Sequence, residues 1–358
     1  MKKFFFYITL IVITFSFIEF ASWSTIKVYQ LIILPKKNTD FQGVNIIQRN
    51  FHVYHAFYGW KKSDITSEDI NVKNNLRKTK KNPNWNLKSK IWFFGGSTMW
   101  GSGVSDENTV PSLSSDLNHN FQPVNFGEDG YTSGQSLNRL IEINDEVNEG
   151  DHVIFFDGVN DAFDNCQSLN GPNGHIKVGY MRRLISNDKN FFKGLYTNGL
   201  RKFRESNTFI VLNGIGKKMG LHKIRQNKGE YIQAGDFKYY SCNQSEYAFK
   251  VAENLVRHWK IAEIITKNKK ASFTCILQPN PYTATFKDKK IIKHVRKVYE
   301  LSSLAVYPKV KELAKTLDCF HDLTNLFKED YYYDDCCHVT GVGNKIIAQE
   351  IINILFKT

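Results

Sequence analysis

Hydrophobic positions in this chain fall into short, nearly unbroken runs separated by longer stretches with helical spacing. The first such run lies in MKKFFFYITLIVITFSFIEFASW, where Lys2 and Lys3 precede apolar residues from Phe4 to Ile18. A charged start followed by a run of that length is the pattern of an export signal. Continuing to Trp23 brings it to about 20 residues, near the length that spans a bilayer. The small-x-small cleavage pattern is poor at Ala21-Ser22-Trp23. Residues 1–24 are therefore expected to form an uncleaved signal anchor, a transmembrane helix, in preference to a cleaved signal peptide. Lys27, Lys36 and Lys37 beyond it weaken the positive-inside asymmetry. Residues 25–89 read as an N-terminal extension, polar and irregular from residue 38 onward, with the Asn- and Lys-rich stretch INVKNNLRKTKKNPNWNLKS.

From Lys90 the pattern changes. IWFFGG, PVNFG, HVIFFDG and SFTCILQP are short apolar runs closed by Gly or Pro, and DCFHDL is a weaker fifth. Runs of this length stopped by such residues predict buried strands. Between and after them, helical spacing predicts helices over Thr109–Leu117, with Pro111 in the first turn, and over 136–147, 245–267, 291–317 and 344–356. Strands alternating with helices predict an α/β fold with three α/β/α layers and a mainly parallel sheet of about five strands. Strands apolar on both faces suit a sheet covered on both sides. The chain has 358 residues, 42% hydrophobic and 23% charged, a balance that supplies a sizeable core and excludes disorder as the default.

In doubly covered sheets, ligands bind beyond the carboxyl ends of the strands. After the first strand come Gly95-Gly96-Ser97-Thr98, which put Ser97 at a sharp strand-to-helix turn. After the second come Asn125-Phe126-Gly127-Glu128-Asp129-Gly130-Tyr131-Thr132-Ser133, and after the third Asp157-Gly158-Val159-Asn160-Asp161. The last helix is preceded by Asp334-Asp335-Cys336-Cys337-His338. These four blocks, in this order over roughly residues 90–358, resemble the SGNH hydrolases of the GDSL type. Those proteins carry a Ser after the first strand, a Gly after the second, a G-x-N-D after the third and a D-x-x-H near the C-terminus.

A serine hydroxyl needs a base to take its proton before it can act as a nucleophile. His338 is the candidate base. Asp335, three residues earlier, is the candidate acid that would orient the imidazole and stabilise its charged form. Asp334 competes with it, and the D-x-x-H spacing selects Asp335. The resemblance implies an oxyanion hole made of the Ser97 N–H, the Gly130 N–H and the Asn160 side-chain amide. Gly127 competes with Gly130, and the spacing from Asn125 and the following Thr-Ser favour Gly130. For Asp161 a structural role in the turn is expected.

The implied activity is that of a serine esterase. Export suggests an envelope or extracellular substrate, with O-acetyl groups on a glycan as the leading expectation. An O-acyltransferase using the same site on a glycan hydroxyl is the nearest alternative, and a non-catalytic glycan-binding module is a further one. No cofactor and no metal are expected. The expected partners are an acylated small molecule or polysaccharide, and the membrane through the N-terminal helix, with the catalytic domain on the periplasmic or extracellular side. No nucleic-acid partner is expected.

The net charge of +13 is concentrated. Between Ile176 and Lys228 there are thirteen Lys or Arg against Asp188 and Glu205, a net +11. This segment belongs to an insertion, about residues 162–240, that follows the Asn160 block and is expected to overhang the site. Its charge suits solvation or an anionic surface. Six cysteines without a C-x-x-C pair exclude a zinc ribbon. Cys275 reads as a buried core thiol, and a disulfide from Cys166 to Cys336 or Cys337 is expected.

Overall fold

The apolar runs after Lys90 become strands whose alternate residues feed two separate cores. The computed structural model describes residues 2–33, 52–82, 89–167, 172, 206–209, 211–212, 241–285, 297–332 and 337–356. The elements used below run α1 (Lys2–Ile33), β1 (His52–His55), β2 (Gly59–Lys62), β3 (Ile65–Thr66), β4 (Asn71–Lys73), β5 (Leu76–Arg77), β6 (Lys90–Gly95), α2 (Ser97–Trp100), α3 (Val110–Leu117), β7 (Gln122–Asn125), α4 (Ser133–Glu142), β8 (His152–Asp157), α5 (Val159–Cys166), α6 (Ser245–Asn268), β9 (Ser272–Leu277), α7 (Lys297–Ala314), β10 (Phe320–Asp322) and α8 (Gly341–Phe356).

The main sheet has the order β10-β9-β8-β6-β7-β5-β4-β3. Its β10, β9, β8, β6 and β7 are mutually parallel, in register at Phe93↔Ile154 and Ile154↔Thr274. Successive side chains on a strand point to opposite faces. Trp92, Phe94, Val153, Phe155 and Phe273 therefore enter one core, against Leu140 of α4, Ala162 of α5, Trp259 of α6 and Tyr307 of α7. Ile91, Phe93, Ile154, Phe156 and Ile276 enter the other, against Val110 of α3 and Ile347 and Ile351 of α8. Both faces are thus covered, which gives the three layers expected of an α/β fold.

Local chemistry sets the helix starts. Thr109 caps α3 by accepting from the Ser112 N–H, with Pro111 in the first turn. Helix α4 begins at Ser133, earlier than the periodicity alone suggests, because Thr132 and Gln135 form a capping box. It gives way at Ile143 to a 3₁₀ turn over Asn144–Glu146.

Two expectations need correction. The extension, expected to be irregular from residue 38 onward, forms strands within residues 52–77. Strands β1 and β2 pair antiparallel as a separate hairpin, while β3, β4 and β5 continue the main sheet, with Arg77↔Asn125 joining β5 antiparallel to β7. Strands of only two to four residues are too short to display hydrophobic alternation, which is why the pattern conceals them. The second correction concerns the N-terminus. Helix α1 is a single helix of 32 residues, but among the described residues no helix is long and apolar enough to cross a membrane. The expected transmembrane helix is therefore not supported. The apolar run is interrupted at Glu19, whose carboxylate accepts from the backbone N–H groups of Asn207 at 2.6 Å and Thr208 at 3.0 Å.

The chain divides into two compact units, Met1–Thr39 with Tyr180–Gly229, and Asp40–Gly179 with Glu230–Thr358. The strand-end blocks all belong to the second. The basic insertion lies for the most part outside the described residues, though its first residues are helical in α5.

Candidate active site

Strand β6 ends at Gly95, and Ser97 opens the single turn α2. Gly96 is required here by a close approach. A Cβ on it would lie 2.4 Å from the Asn160 Nδ2, well inside contact distance. The strand-end turn therefore brings the Asn160 amide against the backbone that carries Ser97. His338 arrives from the loop before α8, which is held by a bridge between Tyr332 and Val339 and by the Thr340 N–H donating to the Tyr331 carbonyl at 2.9 Å. The result is a direct contact between residues far apart in sequence: Ser97 Oγ and His338 Nε2 are 2.8 Å apart. With the proton on Ser97, the hydroxyl donates and the ring nitrogen accepts.

Ser97, Gly130, Asn160 and His338 are each half-buried, whereas their neighbours Thr98, Tyr131, Val159, Asp161, Cys337 and Val339 are buried. Asp335 and its competitor Asp334 lie outside the described residues.

Gly130 sits in a tight turn. The Tyr131 N–H donates to the Glu128 carbonyl at 3.2 Å. Gly130 has φ +74°, and Asp129 is not among the residues with positive φ. That combination is a type II turn, whose third position requires φ > 0 and so favours glycine. Gly127, the competing glycine, is buried against α2, where a Cβ would lie 2.4 Å from the Trp100 nitrogen. It serves packing.

The Asn160 side chain donates from Nδ2 to the Tyr131 carbonyl at 2.9 Å. An amide NH₂ carries two hydrogens, so this bond fixes the group and leaves a second donor. Asp161 stitches the same two loops together, accepting from the Ser133 N–H at 3.0 Å and from the Ser133 Oγ at 2.5 Å. The structural role expected for Asp161 is thus a clamp between α5 and the start of α4. Burial pushes its carboxyl up to about 6, against the opposing hydrogen bonds from Ser133. Asp157, at the end of β8, is raised well above the ordinary carboxylate range by burial and then by the charge of Asp161. It accepts from Trp259 Nε1 at 3.0 Å. His258 Nδ1 lies 2.8 Å from the Ser133 Oγ, and burial followed by the Arg257 charge presses its imidazole down to about 4. This second Asp–Ser–His chain is oriented differently from a nucleophile–base pair. The Ser133 proton is committed to the Asp161 carboxylate, which leaves the hydroxyl oxygen to accept from His258.

The expected disulfide is different. Cys166 bonds to Cys242, 76 residues away, so its bonding to Cys336 or Cys337 is corrected. The Ser241 N–H donates to the Cys166 carbonyl at 2.8 Å, so the backbone around Cys242 already lies beside the end of α5. Cys275 is buried, as expected of a core thiol. Sequence reasoning missed Trp60 and Lys62, which reach the Gly130 turn from the extension, because nothing in a short polar hairpin marks them. Ser133 had a faint signal in the Tyr-Thr-Ser that follows Gly130.

No protein-family model matches the chain, and no curated protein matches it significantly. Solved structures that it is similar to include a member of the lipolytic G-D-S-L family from Veillonella parvula, at 10% identity and a TM-score of 0.38, covering 74% of this chain and 97% of that one. A carbohydrate acetylesterase family member from Sinorhizobium meliloti aligns at 13% identity and a TM-score of 0.40, covering 75% of this chain and 100% of that one. At such TM-scores the likeness adds nothing to what the Ser97–His338 geometry supports.

Proposed function

We propose that this chain is a serine esterase of the SGNH type, acting on O-acyl groups of an envelope or extracellular glycan. The observation that carries the reading is the 2.8 Å contact between Ser97 Oγ and His338 Nε2, made at the carboxyl edge of a parallel sheet where such folds bind ligands. Ser97 Oγ attacks the ester carbonyl carbon as its proton passes to His338 Nε2. The carbonyl oxygen becomes an oxyanion, received by the Ser97 and Gly130 N–H groups and the Asn160 amide. The ester C–O bond then breaks, and the alcohol leaves with the proton from His338. Water attacks the acyl-enzyme, again losing its proton to His338. The acid departs as Ser97 recovers its hydrogen. Asp335 orients the imidazole throughout.

The disulfide between Cys166 and Cys242 supports a location outside the cytoplasm, because such bonds persist in oxidising compartments. The test is labelling with a serine-directed fluorophosphonate, in which the Ser97 Oγ–P bond forms and fluoride leaves. Labelling and ester turnover that both vanish in Ser97→Ala are expected. A wild-type protein that is neither labelled nor able to hydrolyse acetyl esters overturns the reading.

A further inference from the structure

The Asp129–Gly130 peptide stands at the centre of the type II turn, and the geometry of that turn makes it a two-state element. Type I and type II turns differ mainly in the orientation of the central peptide. Type II has ψ near +120° at the second position and φ > 0 at the third, whereas type I has both residues near the helical and bridge regions. Glycine at the third position is at home in either. The residue whose N–H the esterase reading assigns to the oxyanion is thus one that can turn over in place. Because a trans peptide is planar, its C=O and N–H point in opposite directions. Whatever holds the Asp129 carbonyl therefore sets the direction of the Gly130 N–H.

That holder comes from the N-terminal extension. Trp60 of β2 donates from Nε1 to the Asp129 carbonyl at 3.0 Å. On the other side of Gly130, the Tyr131 hydroxyl donates to the Trp60 carbonyl. One residue grips both neighbours of Gly130. The rings of Trp60 and Tyr131 meet edge-on at 5.5 Å, and both side chains are buried. Lys62, next but one on the same strand, secures the rest of the turn. Its N–H donates to Glu128 Oε2 at 2.9 Å, and its ammonium lies 2.5 Å from Asp129 Oδ2 and 3.0 Å from His52 Nε2. His52, Glu128 and Asp129 bring potential metal ligands within 4.8 Å of one another, but the Lys62 ammonium already supplies the cation there.

We propose that Trp60 is a positioning residue for the oxyanion hole, holding the Asp129–Gly130 peptide in its type II orientation so that the Gly130 N–H is aimed before substrate arrives. The inference rests on the esterase reading. Loss of the indole N–H frees the peptide to populate the flipped state, in which a donor is replaced by a carbonyl.

The test compares wild type with Trp60→Phe, which keeps an aromatic ring against Tyr131 and deletes the N–H. Losing one hydrogen bond that biases a two-state peptide is expected to lower kcat and kcat/KM together by roughly tenfold with KM unchanged. The rate of fluorophosphonate labelling falls in parallel, while the melting temperature of the folded variant stays close to wild type. Tyr131→Phe, which removes the second grip, is the alternative should Trp60→Phe not fold, and it is expected to move kcat in the same direction. Wild-type kcat and labelling rate in Trp60→Phe, alongside dead Ser97→Ala, overturn the inference and leave the esterase reading standing. A fall in melting temperature with unchanged kcat per folded molecule assigns Trp60 to packing alone and also overturns it. An inactive, unlabelled wild type overturns both.

Discussion

Replacing Gly96 by alanine tests the arrangement of Asn160 through sterics alone. Gly96 has φ −81° and ψ −158°, an extended backbone open to any residue, so alanine brings no backbone strain of its own. Its Cβ, however, would lie 2.4 Å from Asn160 Nδ2 and 3.3 Å from the Tyr131 carbonyl oxygen. Non-bonded heavy atoms settle at about 3.5 Å or beyond, so the amide must retreat by about 1 Å. A misplacement of that size costs on the order of 10²-fold in rate, and removing one oxyanion donor outright costs about 10²–10³-fold. Gly96→Ala is therefore expected to lose roughly 10²-fold in kcat with KM little changed, approaching the loss in Asn160→Ala. The double variant decides the cause. Once the amide is gone the new methyl has no Nδ2 to displace, so Gly96→Ala/Asn160→Ala should be no worse than Asn160→Ala alone. The assay is initial-rate hydrolysis of an aryl acetate, with circular dichroism and melting temperature as folding controls. Losses that multiply in the double variant, or a Gly96→Ala enzyme at wild-type rate, would refute the reasoning.

The Asp157–Asp161 pair makes stability depend on pH, and the sign follows from the direction of the shifts. Both carboxyls are raised in the folded protein, so above the unfolded value near 3.9 the native state holds protons that the unfolded chain has released, and stability falls as pH rises. Through Asp161, raised to about 6, the loss between about pH 4 and 6 is at most roughly 3 kcal/mol. Asp157→Asn removes the part due to Asp157. Urea unfolding should show it at least as stable as wild type above pH 7, with a shallower fall, and parallel curves would contradict the assignment. The Cys166–Cys242 bond closes a loop with a sequence separation of 76, for which chain entropy sets stabilisation at about 4–5 kcal/mol as an upper value. Cys166→Ala/Cys242→Ala should lower the guanidinium midpoint, and reductant should lower that of wild type alike. A midpoint indifferent to reductant would show that the bond is absent.

Legibility in the sequence followed the physics of each element. Strands β6, β8 and β9 are apolar on both faces, so IWFFG, HVIFFD and SFTCIL announce themselves. The order of strand-end blocks then singled out Ser97 and His338 despite a sequence separation of 241. The spacing from Asn125 and the following Thr-Ser favoured Gly130 over Gly127. The turn bond and positive φ at Gly130, and the backbone of α2 packed against Gly127, separate them. The partner of Cys166 was beyond reach because disulfide connectivity depends on how the chain returns from a long insertion, and the Cys242 end returns to α5. The paired acids Asp334 and Asp335 were separated only by motif spacing, and both lie outside the described residues.

The extension was the largest omission, and its buried charges explain what it does for the second unit. Burying a cation costs several kcal/mol unless a carboxylate and further hydrogen bonds offset it. Arg77 of β5 is buried, with Nε on Asp106 Oδ1 at 2.9 Å, Nη1 on the Trp100 and Gly101 carbonyls at 3.0 and 2.7 Å, and Nη2 on the Val104 carbonyl at 2.6 Å. Lys62 is buried against Asp129 and Glu128. Both cations lie over the ring of Trp100, at 4.3 Å for Arg77 and 4.6 Å for Lys62, and Trp100 is the last residue of the turn that Ser97 opens. Asp106, Trp100, Gly101 and Val104 follow β6, and Glu128 and Asp129 follow β7. A domain boundary at residue 90 would strand Asp106, Glu128 and Asp129 without their cations. The unit that carries the candidate site therefore includes β2 and β5, and the polar character of these short strands supplies the side chains that brace the candidate nucleophile's turn and the Gly130 turn.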